Sequence, residues 1–143
     1  YPKASIADGE TLTIDKFTFG GNAEFDDKRY KFKGASTLGD DGVPANRFVS
    51  FKITKPGTIT HKVISGSSSD ATRKYVVALV TKVGDSVKVT ELYNDVSPTS
   101  SGADAKTSEV TAAHLEGITE AAVVYIYTLS NCNAYAAEFT PAQ

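Results

Sequence analysis

The chain has 143 residues, of which 41% are hydrophobic, and its 15 basic and 17 acidic side chains leave a formal net charge of −2. This balance lacks the strong positive charge of nucleic-acid binders, and the hydrophobic share is well above that of disordered chains. No apolar run approaches the roughly 18 residues that a membrane-spanning helix needs. A lone cysteine, Cys132, excludes an intrachain disulfide and a zinc site built from cysteine clusters. We therefore expect one folded domain over residues 1–143, with neither nucleic acid nor a membrane span involved.

The chain begins Tyr1-Pro2-Lys3 and contains no methionine. A native start is therefore missing, and we expect a processed or trimmed product. Removal of a secretory signal explains this beginning, as does an artificial boundary. We expect a secreted, periplasmic or cell-surface protein.

Most of the chain alternates apolar and polar residues with a period of two, and clusters of Gly, Pro, Asn, Asp and Ser interrupt the alternation. This pattern is typical of half-buried β-strands joined by turns. In the first half of the chain we expect strands over residues 11–19, 29–33, 47–53 and 58–65. Lys55-Pro56-Gly57 predicts a turn, because Pro presets the first central φ and Gly accepts a positive φ. We therefore predict a β-hairpin over residues 47–65.

In the second half, the valine-rich residues 75–83 indicate a buried or central strand. Gly84-Asp85 turns the chain into residues 86–93, which predicts a second hairpin. Residues 94–106 read as a polar loop. Residues 107–120 come closest to a helical spacing, but Thr and Glu-Gly within them argue against a long helix.

The last part of the chain predicts two more strands. Residues 122–129 are strongly apolar, and a tight polar loop follows at 130–133. Tyr135, Ala137 and Phe139 then alternate in a final strand. About eight strands with turns at this spacing predict an all-β fold, a two-sheet antiparallel β-sandwich of jelly-roll topology.

The sequence offers few groups for catalysis. Its two histidines are His61, on a strand face shared with Ile59 and Val63, and His114. No Gly-x-Ser-x-Gly elbow, Gly-rich phosphate loop or His-Glu-x-x-His motif occurs. No activating base is indicated for Cys132, which we interpret as a buried or partly buried inert thiol. We interpret His61 as a structural or surface residue and expect no enzymatic activity.

Acidic residues occur in pairs at Asp26-Asp27 and Asp40-Asp41. Adjacent residues on an extended strand point in opposite directions, so such a pair rarely works as one acid–base unit. In a loop, carboxylate oxygens are suitable ligands for calcium, which takes six to eight of them. Asp40 and Asp41 are therefore the candidates for a structural calcium ion. The alternative, which we favour, is a solvated turn, because neither pair has the dense spacing of a calcium loop.

Sugar binding requires aromatic rings that stack on the C–H faces of sugars and polar side chains that pair with hydroxyls. The chain has seven tyrosines and no tryptophan. Tyr93 is at a predicted strand end beside Asn94 and Asp95, while Asn131 and Asn133 belong to a polar loop. Binding residues are usually placed on loops of a rigid scaffold. Packing in the core or between strands is the alternative role for any single tyrosine.

Four stretches form a familiar pattern: 29–36, 47–60, the Ser-rich loop 67–73, and 124–127 with 130–135. The first stretch is a strand that contains lysine, and the second is an Arg-aromatic-x-Ser-Phe strand followed by a Pro-Gly-Thr-Ile turn. The third is a Ser-rich loop that ends at Arg73, and the last two form a closing hairpin. The pattern resembles a β-sandwich module of gut Bacteroidetes that is attached to secreted pectate-lyase-like proteins and other polysaccharide-degrading enzymes.

This resemblance implies a jelly-roll, galactose-binding-like fold, export to the periplasm or cell surface, and carbohydrate binding in polysaccharide utilisation. The positions that match the polar pattern of the family are Lys31, Arg47 and Arg73. In the functional interpretation they converge at one sheet edge and meet acidic or hydroxyl-rich sugars. In the alternative interpretation each forms a surface or interstrand ion pair.

We therefore predict a non-catalytic carbohydrate-binding accessory domain whose partner is a polysaccharide or oligosaccharide. The predicted ligand-binding residues are Lys31, Arg47, Arg73, Tyr93, Asn131 and Asn133. Calcium at Asp40 and Asp41 is the one cofactor considered. The alternative function is a structural or cell-adhesion module that binds protein rather than glycan.

Overall fold

The computed structural model describes residues 5–7, 9–21, 23–25, 29–32 and 34–142. Within these residues the chain forms twelve strands and one short 3-10 helix, Ala113–Leu115. The strands are β1 (Ser5–Ile6), β2 (Thr11–Ile14), β3 (Phe17–Gly20), β4 (Ala23–Phe25), β5 (Tyr30–Phe32), β6 (Phe48–Ile53), β7 (Gly57–Ser65), β8 (Lys74–Val83), β9 (Ser86–Val96), β10 (Lys106–Val110), β11 (Ala122–Thr128) and β12 (Cys132–Pro141). The predicted all-β class is confirmed.

The strands form two six-stranded antiparallel sheets that pack face to face. Sheet I has the order β1-β4-β5-β12-β7-β10, and sheet II has the order β2-β3-β6-β11-β8-β9. From β5 onward the pairs are nested: β8 pairs with β9, β7 with β10, β6 with β11 and β5 with β12. A long hairpin folded over in this way and divided between two sheets is a jelly roll. The predicted antiparallel β-sandwich is therefore confirmed.

The interior lies between the sheets and receives one face of the alternating strands. On β6 it takes Val49, Phe51 and Ile53, as the alternation predicts. At one end an aromatic group joins the sheets, with the Phe19 ring centroid 4.7 Å from that of Phe25 on the facing sheet. Burial of these apolar side chains supplies the main favourable free energy of folding, at about 25 cal/mol per Å².

The predicted hairpin over residues 47–65 is wrong. Strand β6 pairs with β3 and β11 in sheet II, whereas β7 pairs with β12 and β10 in sheet I. The turn at Lys55-Pro56-Gly57 therefore carries the chain from one sheet to the other. Turn chemistry fixes where a chain bends, but the sheet that each strand joins depends on where its apolar face is buried.

The hairpin of residues 75–83 and 86–93 is confirmed. Strands β8 and β9 pair along their length, and Gly84 adopts a φ of 62° at the turn. This left-handed conformation is the one that glycine adopts without the steric cost of a Cβ. The turn at Gly84-Asp85 therefore joins two strands of the same sheet, as the sequence predicts.

Other boundaries differ from the sequence predictions. The strand expected over residues 11–19 breaks at Asp15, whose φ of 53° turns β2 back on β3. The polar loop expected over 94–106 is shorter, because β9 continues to Val96 and β10 begins at Lys106. The strands of the expected closing hairpin, β11 and β12, lie in different sheets.

Candidate functional site

Strand pairing aligns five outward-facing residues in one row across sheet II. The row runs through Thr13 on β2, Thr18 on β3, Ser50 on β6, Tyr125 on β11 and Ala78 on β8. The hydroxyl oxygens of Thr13 and Thr18 lie 3.3 Å apart, and the Ser50 hydroxyl donates to the Thr18 carbonyl at 3.5 Å. Three hydroxyl groups therefore lie side by side on neighbouring strands, next to the ring of Tyr125. We call this set the hydroxyl row.

A small apolar cluster lies beside the hydroxyl row, on the same outer face and separate from the interior. Its buried members are Phe48, Val76, Ala78 and Tyr127. Tyr125 packs against the cluster and makes an edge contact with Phe48, their ring centroids being 5.1 Å apart. This contact fixes the Tyr125 ring, because aromatic pairs favour such edge-to-face geometry.

The loop of residues 35–46 forms a wall of this face. Its two arms are joined by the N–H of Thr37, which donates to the Asn46 side-chain oxygen at 2.9 Å. At its tip, a Cβ added to Gly42 would lie 3.6 Å from a methyl carbon of Val89 on β9. The loop therefore contacts the edge of sheet II and gives the face a raised border.

A hollow of about 530 Å³ opens over β2, β3, β6 and β11. The hydroxyl row supplies Thr13, Thr18, Ser50 and Tyr125 to its lining. Two lysines join them, Lys16 in the β2–β3 turn and Lys52 on β6. The described residues that line this hollow include no carboxylate, so its charge is positive.

A smaller hollow of about 230 Å³ lies on the other side of Tyr125, over β8, β9 and β11. Asp41 from the bordering loop, Lys82 on β8 and Glu120 line it. Lys82 and Glu120 form an ion pair with 3.6 Å between the nitrogen and the oxygen. The two hollows therefore share Tyr125 but differ in charge.

The hydroxyl of Tyr125 stays neutral at physiological pH. Burial raises its pKa above the ordinary value, and the negative charge of Asp41 raises it further. A neutral phenol both donates and accepts hydrogen bonds. Tyr125 therefore offers a ring face for stacking and a hydroxyl for pairing.

Lys31 and Asn133, both predicted to bind ligand, lie side by side on the outer face of sheet I. They are direct partners across β5 and β12. The Lys31 ammonium lies 3.9 Å from a carboxylate oxygen of Glu24 on the neighbouring β4. The face of sheet I thus carries two predicted residues, on the side of the sandwich opposite the hydroxyl row.

Arg47, Arg73 and Asn131 come together where three loops meet at one end of the sandwich. Arg47 donates to the Ala35 carbonyl at 2.7 Å, and Arg73 donates to the Asn131 carbonyl at 2.8 Å. Arg73 also pairs with Asp70 at 3.1 Å. Arg47 therefore closes the loop that precedes it and Arg73 ties one loop to another, which are stabilising roles whether or not a ligand binds there.

Tyr93 lies beside the interior rather than on a loop. Its ring centroid is 4.8 Å from that of Tyr75 and 4.8 Å from that of His61. His61 is buried, with its ring nitrogens 2.8 Å from the Tyr75 hydroxyl and 2.9 Å from the Ser108 hydroxyl. These contacts make Tyr93 and His61 parts of a packed polar network.

Asp40 and Asp41 occupy an exposed turn of the bordering loop. Asp41 accepts a hydrogen bond from the N–H of Val43 at 3.0 Å, so this carboxylate closes its own turn. Across the part of the chain that the structure describes, no group of three or more His, Cys, Asp or Glu side chains is arranged to hold a metal ion. Calcium at this turn stays a prediction, and Asp26-Asp27 lies outside the described residues.

Sequence reasoning missed the hydroxyl row and the two lysines of the larger hollow. One signal was present, because Val123, Tyr125 and Tyr127 alternate with Val124 and Ile126 along β11. This alternation places Tyr125 on an outer face but does not say which residues lie beside it. The order of strands in the sheet supplies that information.

The outer face of sheet II thus offers a ring for stacking, hydroxyl and ammonium donors, and carboxylate acceptors on one concave surface. Among the described residues, no helix is both long and apolar enough to cross a membrane. No protein-family model matches the chain, and the search of curated proteins gives no match.

Proposed function

We propose that this protein is a non-catalytic carbohydrate-binding module of an exported protein, and that it binds glycan on the outer face of sheet II. The observation that carries the proposal is the position of Tyr125. Its ring is fixed by Phe48 and borders both hollows of the face. A sugar ring stacked there has polar groups within reach on either side.

The chemistry of the face matches the chemistry of a sugar. Sugars present C–H faces that stack on aromatic rings, and hydroxyls that exchange hydrogen bonds with polar side chains. Binding sites are usually preformed, concave and lined by a few placed polar groups. The paired strands beneath the hydroxyl row hold these groups in place before any ligand arrives, which lowers the entropy lost on binding.

The resemblance to modules of polysaccharide-degrading Bacteroidetes proteins supports the same function from the sequence. It suggests Lys31, Arg47 and Arg73 as ligand-binding residues, whereas we propose Tyr125 and the hydroxyl row. Arg47 donates to a backbone carbonyl at the start of its own loop, Arg73 donates to one in a neighbouring loop, and Lys31 pairs with Glu24. We infer that these side chains contribute first to stability.

The test is affinity electrophoresis in gels that contain pectin, xylan or host glycans. The intact protein is expected to be retarded by at least one of them. Tyr125→Ala should weaken that binding at least about tenfold, because an aromatic anchor is lost. Tyr125→Phe keeps the ring and should keep most of the binding.

The matched control is Tyr135→Ala on the outer face of sheet I. Tyr135 is a half-buried tyrosine too, contacted by the Arg29 guanidinium at 3.3 Å and by Lys62 above its ring. Its loss should leave retardation unchanged, while thermal melts confirm that all three variants fold. Equal retardation of Tyr125→Ala and the intact protein would contradict the proposed site.

A structural or adhesive module that binds protein is the second candidate. It is the alternative that the sequence leaves open, and the β8–β9 hairpin offers exposed apolar side chains for such a contact. Val83 is 53% exposed and Val87 is 36% exposed, on opposite faces of the hairpin because Val87 pairs with Lys82. No retardation of the intact protein by any glycan in the series would favour this function.

A further inference from the structure

The larger hollow is lined by lysines, although the stacking of a neutral sugar ring on Tyr125 does not require a positive charge. Lys52 faces Val123 across β6 and β11, and Val123 is two residues from Tyr125 on the same face. Diagonal neighbours of this kind lie about 7–8 Å apart, which long side chains bridge. The Lys52 ammonium therefore reaches a ligand that stacks on Tyr125.

A second lysine lines the same hollow from a different element. Lys16 lies in the turn between β2 and β3, and its nitrogen lies 5.5 Å from the centroid of the Phe17 ring, which packs against the interior. Its flexible four-carbon stem lets the ammonium turn toward a ligand in the hollow. Two lysines and no carboxylate thus belong to the described lining on this side of Tyr125, in a protein whose net charge is −2.

The smaller hollow has the opposite character. Asp41 and Glu120 line it, and the Lys82 ammonium is paired with Glu120 at 3.6 Å. A negatively charged ligand group is therefore repelled on this side of Tyr125 and attracted on the other. A cleft with one sign of charge also concentrates ligands of the opposite sign.

We propose, on the basis of the function proposed above, that the glycan is acidic and that a uronic-acid carboxylate lies in the larger hollow between Lys16 and Lys52. The adjoining neutral hydroxyls lie over the smaller hollow, where Asp41 accepts hydrogen bonds. A carboxylate is the favoured anion because it is attached directly to the sugar ring. It therefore stays beside a ring stacked on Tyr125, within reach of Lys52.

The experiment measures the affinity of tetrasaccharides of galacturonate, glucuronate and mannuronate by calorimetry. Each is compared with its fully methyl-esterified form, which removes the charge and keeps the sugar. At least one uronate should bind about tenfold more tightly than its ester at low salt, because ion pairs of this exposure are modest and screened. Raising the salt concentration should remove most of that difference.

The variant Lys16→Gln/Lys52→Gln should bring the ratio of uronate affinity to ester affinity close to one, and this ratio is the readout. The control Lys62→Gln removes a lysine from the outer face of sheet I and should bind like the intact protein. Equal affinity for uronate and ester in the intact protein overturns this inference and leaves the proposed function standing. Tighter binding of a sulfated tetrasaccharide than of every uronate overturns the choice of carboxylate. Failure of both uronate and ester to bind also overturns this inference, and retardation by xylan or a neutral host glycan then decides separately whether the proposed function stands.

Discussion

At the scale of single residues, His61 shows how the interior controls a titrating group. It is fully buried, and its two ring nitrogens face the hydroxyls of Tyr75 and Ser108. Burial lowers the pKa of His61 to about 4, and the neighbouring charge of Lys106 lowers it further. The sequence left open whether His61 is a structural or a surface residue, and the structure shows that it is a buried, structural one.

This pKa predicts a loss of stability in mild acid. An unfolded histidine, with a pKa near 6.5, binds a proton before the folded one does, so the free energy of unfolding falls between about pH 6.5 and pH 4. The full loss amounts to about 3 kcal/mol, at about 1.4 kcal/mol for each unit of pKa difference. Urea unfolding at pH 7 and pH 4.5 measures most of this loss. His61→Gln should show a smaller loss over the same interval, and an equal loss in both proteins would contradict the assignment.

At the scale of elements, the turn at Lys55-Pro56-Gly57 explains why one sequence prediction failed and another succeeded. Both this turn and Gly84-Asp85 were predicted correctly as bends in the chain. Only the second joins two strands of one sheet, since β6 and β7 separate into sheets II and I. Residues near in sequence determine the bend, whereas burial against distant strands determines the partner.

Gly57 is required at the first of these bends by a close approach of β12. A Cβ added to it would lie 2.4 Å from the Thr140 carbonyl oxygen and 2.9 Å from the Pro141 Cα. Both atoms belong to backbone, so Gly57→Ala should lower the free energy of unfolding by about 1–3 kcal/mol through overpacking.

Gly102→Ala is the matched control for this substitution. Its added Cβ would meet the Ser100 hydroxyl at 3.6 Å, an ordinary contact. The change should stay within about 0.5 kcal/mol of the intact protein. Denaturant unfolding of both variants gives the comparison, and a neutral Gly57→Ala would show that β12 does not pack against this corner as described.

At the scale of the whole molecule, the order of the strands in sheet II brings the candidate site together. The hydroxyl row takes Thr13 and Thr18 from the local β2–β3 hairpin, and strand pairing places Ser50 and Tyr125 beside them from β6 and β11, which are distant in sequence. The alternation along each strand could be predicted, and so could the sandwich. The order of the strands could not, because a period of two says which face a residue takes and not which residue lies beside it.

The order of the strands also determines where the residues predicted to bind ligand lie. Lys31 and Asn133 become neighbours only because β5 pairs with β12. Tyr93, expected at a strand end, packs against Tyr75 and His61 because β9 continues past it to Val96. The strand is three residues longer than predicted, so Tyr93 lies within it, at the edge of the interior, instead of at its end.

Glycan binding to the outer face of sheet II is the central claim, and backbone chemical-shift mapping during titration with an oligosaccharide tests it directly. We expect the largest changes in the amide signals of Thr18, Ser50, Lys52 and Tyr125, with little change on sheet I. Changes centred instead on Lys31 and Asn133, or at the loop end around Arg47, would contradict the claim.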